Sequence, residues 1–246
     1  MHGPRTTLPG RTIEIVVPVL GRPNRARPLA DSVVAAATVF TRLTFVCSPD
    51  DDAQIDACMN VGEADTLIVD WQPGTGDYAK KINAAARLTD CDYIFTGADD
   101  LVFRSGWDEA ALATIGNKGV CGTNDYGNPA VTSGRHSTHS LVAMSYVRDP
   151  GATYLDGPGV VLHEGYDHQQ IDNELVHAAV VRKQWAFSRG PGVEHHHPMW
   201  KQGVSMDSTY EKALRGGRGD QRLYGQRRRK FMVGRASSRV ATGRVA

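Results

Sequence analysis

The sequence predicts an α/β fold, a mixed and mainly parallel sheet with helices on both faces. Two observations carry this. Short runs rich in Val, Ile, Leu and Thr alternate with longer stretches whose apolar residues recur at helical spacing, the rhythm of strand–helix–strand units. At 246 residues the chain can bury a full core, and it fits one such domain better than two.

Residues 11–17 read as a buried strand. It ends in Pro18-Val19-Leu20-Gly21-Arg22-Pro23, which continues neither a helix nor a ladder. Residues 25–39 carry Leu29, Val33, Val34 and Ala37 on one stripe and read as a helix. Residues 43–47 and 66–70 follow as second and third strands. A helix over 77–88 leads into a fourth strand over 92–96, and another helix is expected around 106–115. After about residue 118 the rhythm changes. Residues 120–123, 140–144 and 160–163 read as short strands between Gly- and Pro-rich loops. Residues 170–182 read as a helix, 190–206 as a loop and 207–214 as a final helix. The organisation expected is a loose leader (1–10), a single domain (11–214) and a basic, flexible tail (215–246) of Gly, Ser and Arg with few large apolar residues.

The net charge of +1 conceals an asymmetry. Of 28 basic and 27 acidic residues, ten basic and one acidic (Asp220) lie from Arg215 onward, leaving 18 and 26 in the preceding 214 residues. An acidic body thus carries a cationic tail, densest at Arg227-Arg228-Arg229-Lys230. Such a tail reads as a solvated terminus, or as a contact for nucleic acid or an anionic membrane surface. No apolar helix face accompanies the Arg run, so the membrane is the weaker of these partners. Apolar runs fall short of the ~20 residues that span a bilayer, and the N-terminus lacks the apolar stretch of a signal peptide. Four cysteines (Cys47, Cys58, Cys91, Cys121) show no paired spacing. A cytoplasmic protein with buried free thiols and no membrane span is expected.

Three segments carry candidate chemistry. Asp99 and Asp100 end the fourth strand, at the edge where doubly wound sheets place their ligands. They could cap the next helix, or Asp99 could hold a divalent cation while Asp100 holds the cation or a substrate hydroxyl. In Glu194-His195-His196-His197-Pro198, alternation along an extended segment lets His195 and His197 face one site while His196 faces away. Carboxylate plus imidazole suits Mn²⁺ or Mg²⁺, with Mn²⁺ more tolerant of nitrogen. Asp172 and Glu174 fall in the first turn of a helix, where its dipole favours acids for structural reasons. Facing a cleft, Asp172 could instead act as a general base.

In this order the segments resemble GT-A fold glycosyltransferases, particularly family-2-like and phage-encoded members. The residues that carry the resemblance are Val17-Pro18, Gly76-Asp77-Tyr78-Ala79-Lys80-Lys81-Ile82-Asn83, Phe95-Thr96-Gly97-Ala98-Asp99-Asp100, Ile171-Asp172-Asn173-Glu174-Leu175 and Glu194-His195-His196-His197-Pro198-Met199-Trp200. The resemblance spans roughly residues 11–210. It implies Asp99 as the last acid of the Asp-x-Asp metal motif, with His197 or His195 as the downstream metal ligand. It implies Asp172 as catalytic base, Pro18 and Val19 bordering the nucleotide base, and Lys81 near the base or diphosphate. Two departures stand out. Gly97 occupies the place of the motif's first Asp, and Cys47-Ser48-Pro49-Asp50 replaces the usual Asp-Asp-Gly-Ser, with Asp50 as the substitute for the acid that reads uracil.

The function expected is a metal-dependent, inverting transfer of a sugar from a nucleotide-sugar donor, most simply a UDP-sugar, to an acceptor hydroxyl. The phage-like resemblance and the basic tail together suggest hydroxymethylated pyrimidines in DNA as acceptor. Competing readings are a virion protein or envelope glycan as acceptor, a nucleotidyltransferase, and a non-catalytic nucleic-acid-binding protein.

Overall fold

The computed structural model describes residues 11–207, 209–211 and 217–242, with the side chains of the last segment as far as residue 235. The expected leader, half of the final helix expected over 207–214 (208 and 212–214), and the outermost tail (243–246) lie outside the described residues.

The chain begins with the strands and helices the sequence predicts and one helix, Asp52–Met59, that it does not. Strand β1 (Ile13–Pro18) is followed by α1 (Ala26–Ala36), β2 (Thr41–Cys47), α2 (Asp52–Met59), β3 (Asp65–Ile68), α3 (Asp77–Leu88) and β4 (Tyr93–Thr96). β1 pairs in parallel with β2 and β4, and β2 with β3. Ile13, Ile15, Val16 and Val17 are all fully buried, as in strands covered on both faces.

Beyond β4 come β5 (Leu101–Phe103), α4 (Trp107–Ile115), β6 (Val120–Thr123), α5 (Pro129–Thr132), β7 (Ser140–Ala143) and α6 (Met144–Arg148). Then follow α7 (Ile171–Val181), β8 (Trp185–Ser188), β9 (Val193–His195) and α8 (Gly217–Thr242). The large sheet has seven strands in the order β3-β2-β1-β4-β7-β6-β8. β7 runs antiparallel to both neighbours, and β8 is parallel to β6. A second sheet pairs β5 with β9, setting Leu101 opposite His195. Part of the loop expected over 190–206 is therefore a strand, held by the residues that directly follow the Asp pair. Phe95, Phe103 and Trp107 pack edge to face at 4.9–5.7 Å and fix β4, β5 and α4 to one another.

The strand expected over 160–163 does not form, because its backbone is committed elsewhere. The buried Asn83 side chain of α3 accepts from Val161 N (3.0 Å) and Leu162 N (3.1 Å) and donates to Leu162 O (2.8 Å) and Glu164 Oε1 (2.9 Å). Nearby, Gly76 has φ +76°, and a Cβ there would sit 2.0 Å from Glu164 O. Loop 161–164 is thus clamped on the start of α3.

The segment expected to be a flexible tail is helical from Gly217 to Thr242. Asp220 accepts from the backbone amides of Asp167 (2.7 Å), His168 (2.9 Å) and Gln169 (2.7 Å). Arg227 donates to both oxygens of the buried Glu174 at 2.8 Å and to Asp156 at 2.6 Å. Phe231 stacks on Tyr154 at 4.8 Å. Few large apolar residues are needed because charged groups supply most of the anchor. All four cysteines are free and buried. Among the described residues no helix is long and apolar enough to cross a membrane.

Asn83→Ala leaves the amides of Val161 and Leu162 buried and unpaired. It should lower the unfolding free energy by roughly 3 kcal/mol, measured by urea denaturation, whereas Asn117→Ala, in the exposed turn between α4 and β6, should cost little.

Candidate functional site

A cavity of about 480 Å³ opens at the carboxyl ends of β1 and β4. Pro18, Val19, Lys81, Asp99, Asp100, Asp172, His195 and His197 all line it, though they come from five separate stretches of chain. Asp50 does not. It is exposed and accepts a hydrogen bond from Gln72, so the uracil-reading place implied for it lies outside the cavity wall.

Pro18 ends β1, and Val19 turns its carbonyl inward. That carbonyl accepts from the fully buried Lys81 ammonium at 2.9 Å. Lys81 also donates to Ser48 Oγ (2.8 Å) and pairs with Asp77 (2.9 Å). Its three donors are thereby all engaged, and it ties the ends of β1 and β2 to α3.

The two acids after β4 diverge. Neither caps α4, whose N-cap Gly106 has no side-chain capping bond. Asp99 Oδ1 receives Arg22 Nη1 (3.0 Å) and Arg25 Nη1 (3.3 Å). Burial pushes the Asp99 carboxyl up and neighbouring Asp100 adds to this, against the pull of the arginines. Asp100 turns to β9, where Oδ2 lies 3.3 Å from His195 Nε2 and accepts from Tyr210 OH at 2.8 Å. Burial opposes its charge, but the hydrogen bond and charge of His195, with His139 and Tyr210, hold the carboxyl well below its ordinary range.

The histidines divide likewise. Burial alone would lower the His195 pKa, yet Asp100 raises it. His197 is pushed down to about 4 by burial and by His195, and its Nδ1 accepts from Met199 N at 3.2 Å. His196 lies outside the cavity lining and pairs with Glu194 at 3.0 Å.

Asp172 sits at the second position of α7 and receives Asn173 N at 2.8 Å. Its other oxygen meets His136 Nε2 at 3.0 Å. Burial opposes ionisation, but His136 and the Asn173 amide bring the Asp172 carboxyl below its ordinary range. In return Asp172 raises His136, which burial alone would lower. An ionised carboxylate therefore faces the cavity with the His136 imidazole behind it.

Sequence reasoning missed Arg22, Arg25, His136, His139 and Tyr210. Two histidines three apart in Ser133-Gly134-Arg135-His136-Ser137-Thr138-His139-Ser140, directly before β7, were the available signal for one pair. His139 Nδ1 donates to Thr96 O at 2.8 Å, and its Nε2 is buried with no partner. Asp100 Oδ1 and His195 Nδ1 are buried and unpartnered too, and the His139 and His195 rings meet edge to face at 4.9 Å. As they stand, no three His, Cys, Asp or Glu among the described residues converge on one point. The unpartnered carboxylate oxygen and imidazole nitrogens are nevertheless the donor types that a divalent cation such as Mn²⁺ takes. Orphaned buried polar atoms of this kind call for a ligand or water.

No protein-family model matches the sequence, and no curated protein matches it. Solved structures do. Glucosyl-3-phosphoglycerate synthase from Mycobacterium tuberculosis, in complex with Mn²⁺, UDP and glucosyl-3-phosphoglycerate, superposes with a TM-score of 0.55 over 80% of this chain and 78% of that one, at 13% identity. S. aureus TarS 1–349 gives 0.55 over 75% of this chain and 60% of that one, at 12% identity. A mycobacterial protein gives 0.54 over 76% and 68%, at 13% identity. The fold is GT-A. In this chain the parallel strands β3-β2-β1-β4 adjoin the antiparallel β7, and the Asp pair follows β4 at that junction.

His139 generates a pH prediction. Burial, and secondarily His195, lowers its pKa from 6.5 to about 4, partly offset by Asp100. The folded state then binds fewer protons than the unfolded one, so this residue's contribution is lost as pH falls from about 6.5 toward 4, reaching roughly 3 kcal/mol. Urea unfolding in chelator across that window should show a shallower acid loss for His139→Gln than for the wild type.

Proposed function

We propose that the chain is a glycosyltransferase that moves a sugar from a nucleotide-sugar donor, a UDP-sugar, to an acceptor hydroxyl with inversion, using Mn²⁺ or Mg²⁺. The observation that carries this is the convergence of Asp99, Asp100 and His195 with the ionised Asp172 on one cavity. The fold supports it, and so does the presence of Mn²⁺ and UDP in the M. tuberculosis synthase structures. Mg²⁺ and UDP occur in another of them.

In this reading Asp99, Asp100 and His195 hold the cation, with His197 behind His195 at a ring distance of 5.2 Å. Bound there, a divalent cation supplies charge neutralisation for a leaving diphosphate. Pro18 and Val19 border the nucleotide base, and Lys81 keeps the Val19 carbonyl in place beneath it. Asp172 accepts the acceptor proton. His136 fixes the carboxylate's orientation through one oxygen and keeps it deprotonated at neutral pH, the state a base needs. In this reading Asp172 acts as base in a single displacement, which inverts the anomeric centre. Asp50 has no part in this reading.

The outward face of α8 favours a polyanionic acceptor. Arg218, Arg222, Arg228, Arg229 and Lys230 are exposed there, and of these Arg228 touches His177 at 3.3 Å. DNA carrying hydroxymethylated pyrimidines is the acceptor this reading names. Its binding should weaken steeply with salt.

Asp172→Asn should reduce transfer by about 10²- to 10⁴-fold while leaving donor affinity nearly unchanged, and normal turnover would remove Asp172 as base. Among UDP, GDP, CDP and ADP, UDP should raise the melting temperature only with Mn²⁺ present, by an amount equivalent to about 2.7 kcal/mol at a hundredfold excess over Kd. Asp99→Ala should abolish that shift.

A further inference from the structure

Resting on the donor site proposed above, we propose that Arg22 and Arg25 are resident counter-ions of Asp99 that transfer to the donor's diphosphate when the cation arrives, making cation and nucleotide binding mutually dependent. Asp99 exposes 9% of its side chain and Asp100 5%. Two adjacent carboxylates so buried need positive partners. Asp100 has His195, the Tyr210 hydroxyl and, at 3.9 Å, Arg25. Asp99 has only the two guanidinium groups, at 3.0 and 3.3 Å, among the contacts described. The arginines thus stand where the positive charge of a cation would act.

The two states compete. A divalent cation at Asp99 adds charge beside two guanidiniums, so it enters readily only if those groups gain an anion. Arg22 is built to exchange. Its guanidinium lines the cavity, and its Nε is buried without a partner. It remains attached to the wall without Asp99, through Asp207 at 2.7 Å and the Tyr210 ring at 4.2 Å. Arg25 is likewise held by Tyr210 OH at 3.0 Å. An arginine fork suits phosphate oxygens as well as carboxylate, so a diphosphate can take over the donors that Asp99 gives up. Tyr210, which also donates to Asp100, links the arginine side of the exchange to the histidine side.

The test is Mn²⁺ binding followed by the free-ion EPR signal, with and without UDP or inorganic pyrophosphate, each corrected with a protein-free blank because both anions bind Mn²⁺ themselves. Wild type, Arg22→Gln and Arg25→Gln are compared after thermal melting shows each to be folded. Either variant alone suffices if the other does not fold. In the wild type, UDP and pyrophosphate should each tighten Mn²⁺ binding by about tenfold or more, within the usual range of coupling between sites. In either variant, Mn²⁺ alone should bind tighter than in the wild type, and the added tightening by the anions should shrink. Equal wild-type affinity with and without either anion, or variants whose Mn²⁺ affinity falls, would overturn the exchange. Coupling to pyrophosphate without any UDP binding would uphold the arginine exchange and sink the nucleotide-sugar reading instead.

Discussion

The turn after β4 runs so close to β1 that position 97 has no room for a side chain. Gly97 N donates to Val16 O at 2.8 Å, and a Cβ on Gly97 would lie 2.8 Å from that carbonyl and 2.9 Å from Val17 Cγ2. The absence of an acid at this place is therefore a steric matter of two backbones in contact. The same contact decides where the next residues go. With β4 held against β1, Asp99 reaches the arginines of the β1–α1 loop, while Asp100 turns to β9 and Tyr210. Tyr78 OH donates to Gly97 O at 3.1 Å and closes the turn from the α3 side. The cavity's acidic wall is a consequence of this close approach.

The opposite wall depends on a buried ionic hub. Glu174 is 1% exposed, yet its carboxylate is fully used by Tyr154 N, Tyr166 OH and Arg227. A buried carboxylate is tolerable only with such complete pairing, and removing one partner of such a pair costs far more than the pair contributes. Helix α8 is thereby joined to α7 at Glu174, two residues beyond Asp172, and Asp220 gathers the three amides that precede α7. Gln170 can then adopt its left-handed conformation (φ 69°) and start the helix that carries Asp172.

What was legible in the sequence follows from this. Strands β1 to β4 and helix α3 were readable because each is specified by its own apolar pattern. Asp99 could be placed because it follows β4, and Asp172 because it falls in the first turn of α7, a helix expected over 170–182. Contacts between distant segments were not. Arg22 meets Asp99 across 77 residues, His136 meets Asp172 across 36, and nothing local marks either pair. The segment 160–163 has the composition of a strand, but one buried asparagine takes its backbone groups. Helix α8 has few large apolar residues to mark it, and the groups that hold it, Asp220, Arg227 and Phe231 among them, meet partners far away in sequence. β9 is three residues long, with Val193 its one buried apolar residue.

The placement of Asp220 and Arg227 also has a temporal meaning. Pro18 and Val19 are made early in synthesis, but Asp220 and Arg227, which hold the segment before α7 and its first turn, come more than two hundred positions later. At translation speeds of about 5–20 residues per second, most of the sheet emerges seconds before the groups that complete its cavity. A nascent chain lacking α8 holds the β1 side of the cavity next to an α7 side that Asp220 and Arg227 have yet to secure. Completion of the cavity is thus tied to synthesis of α8 rather than to formation of the core.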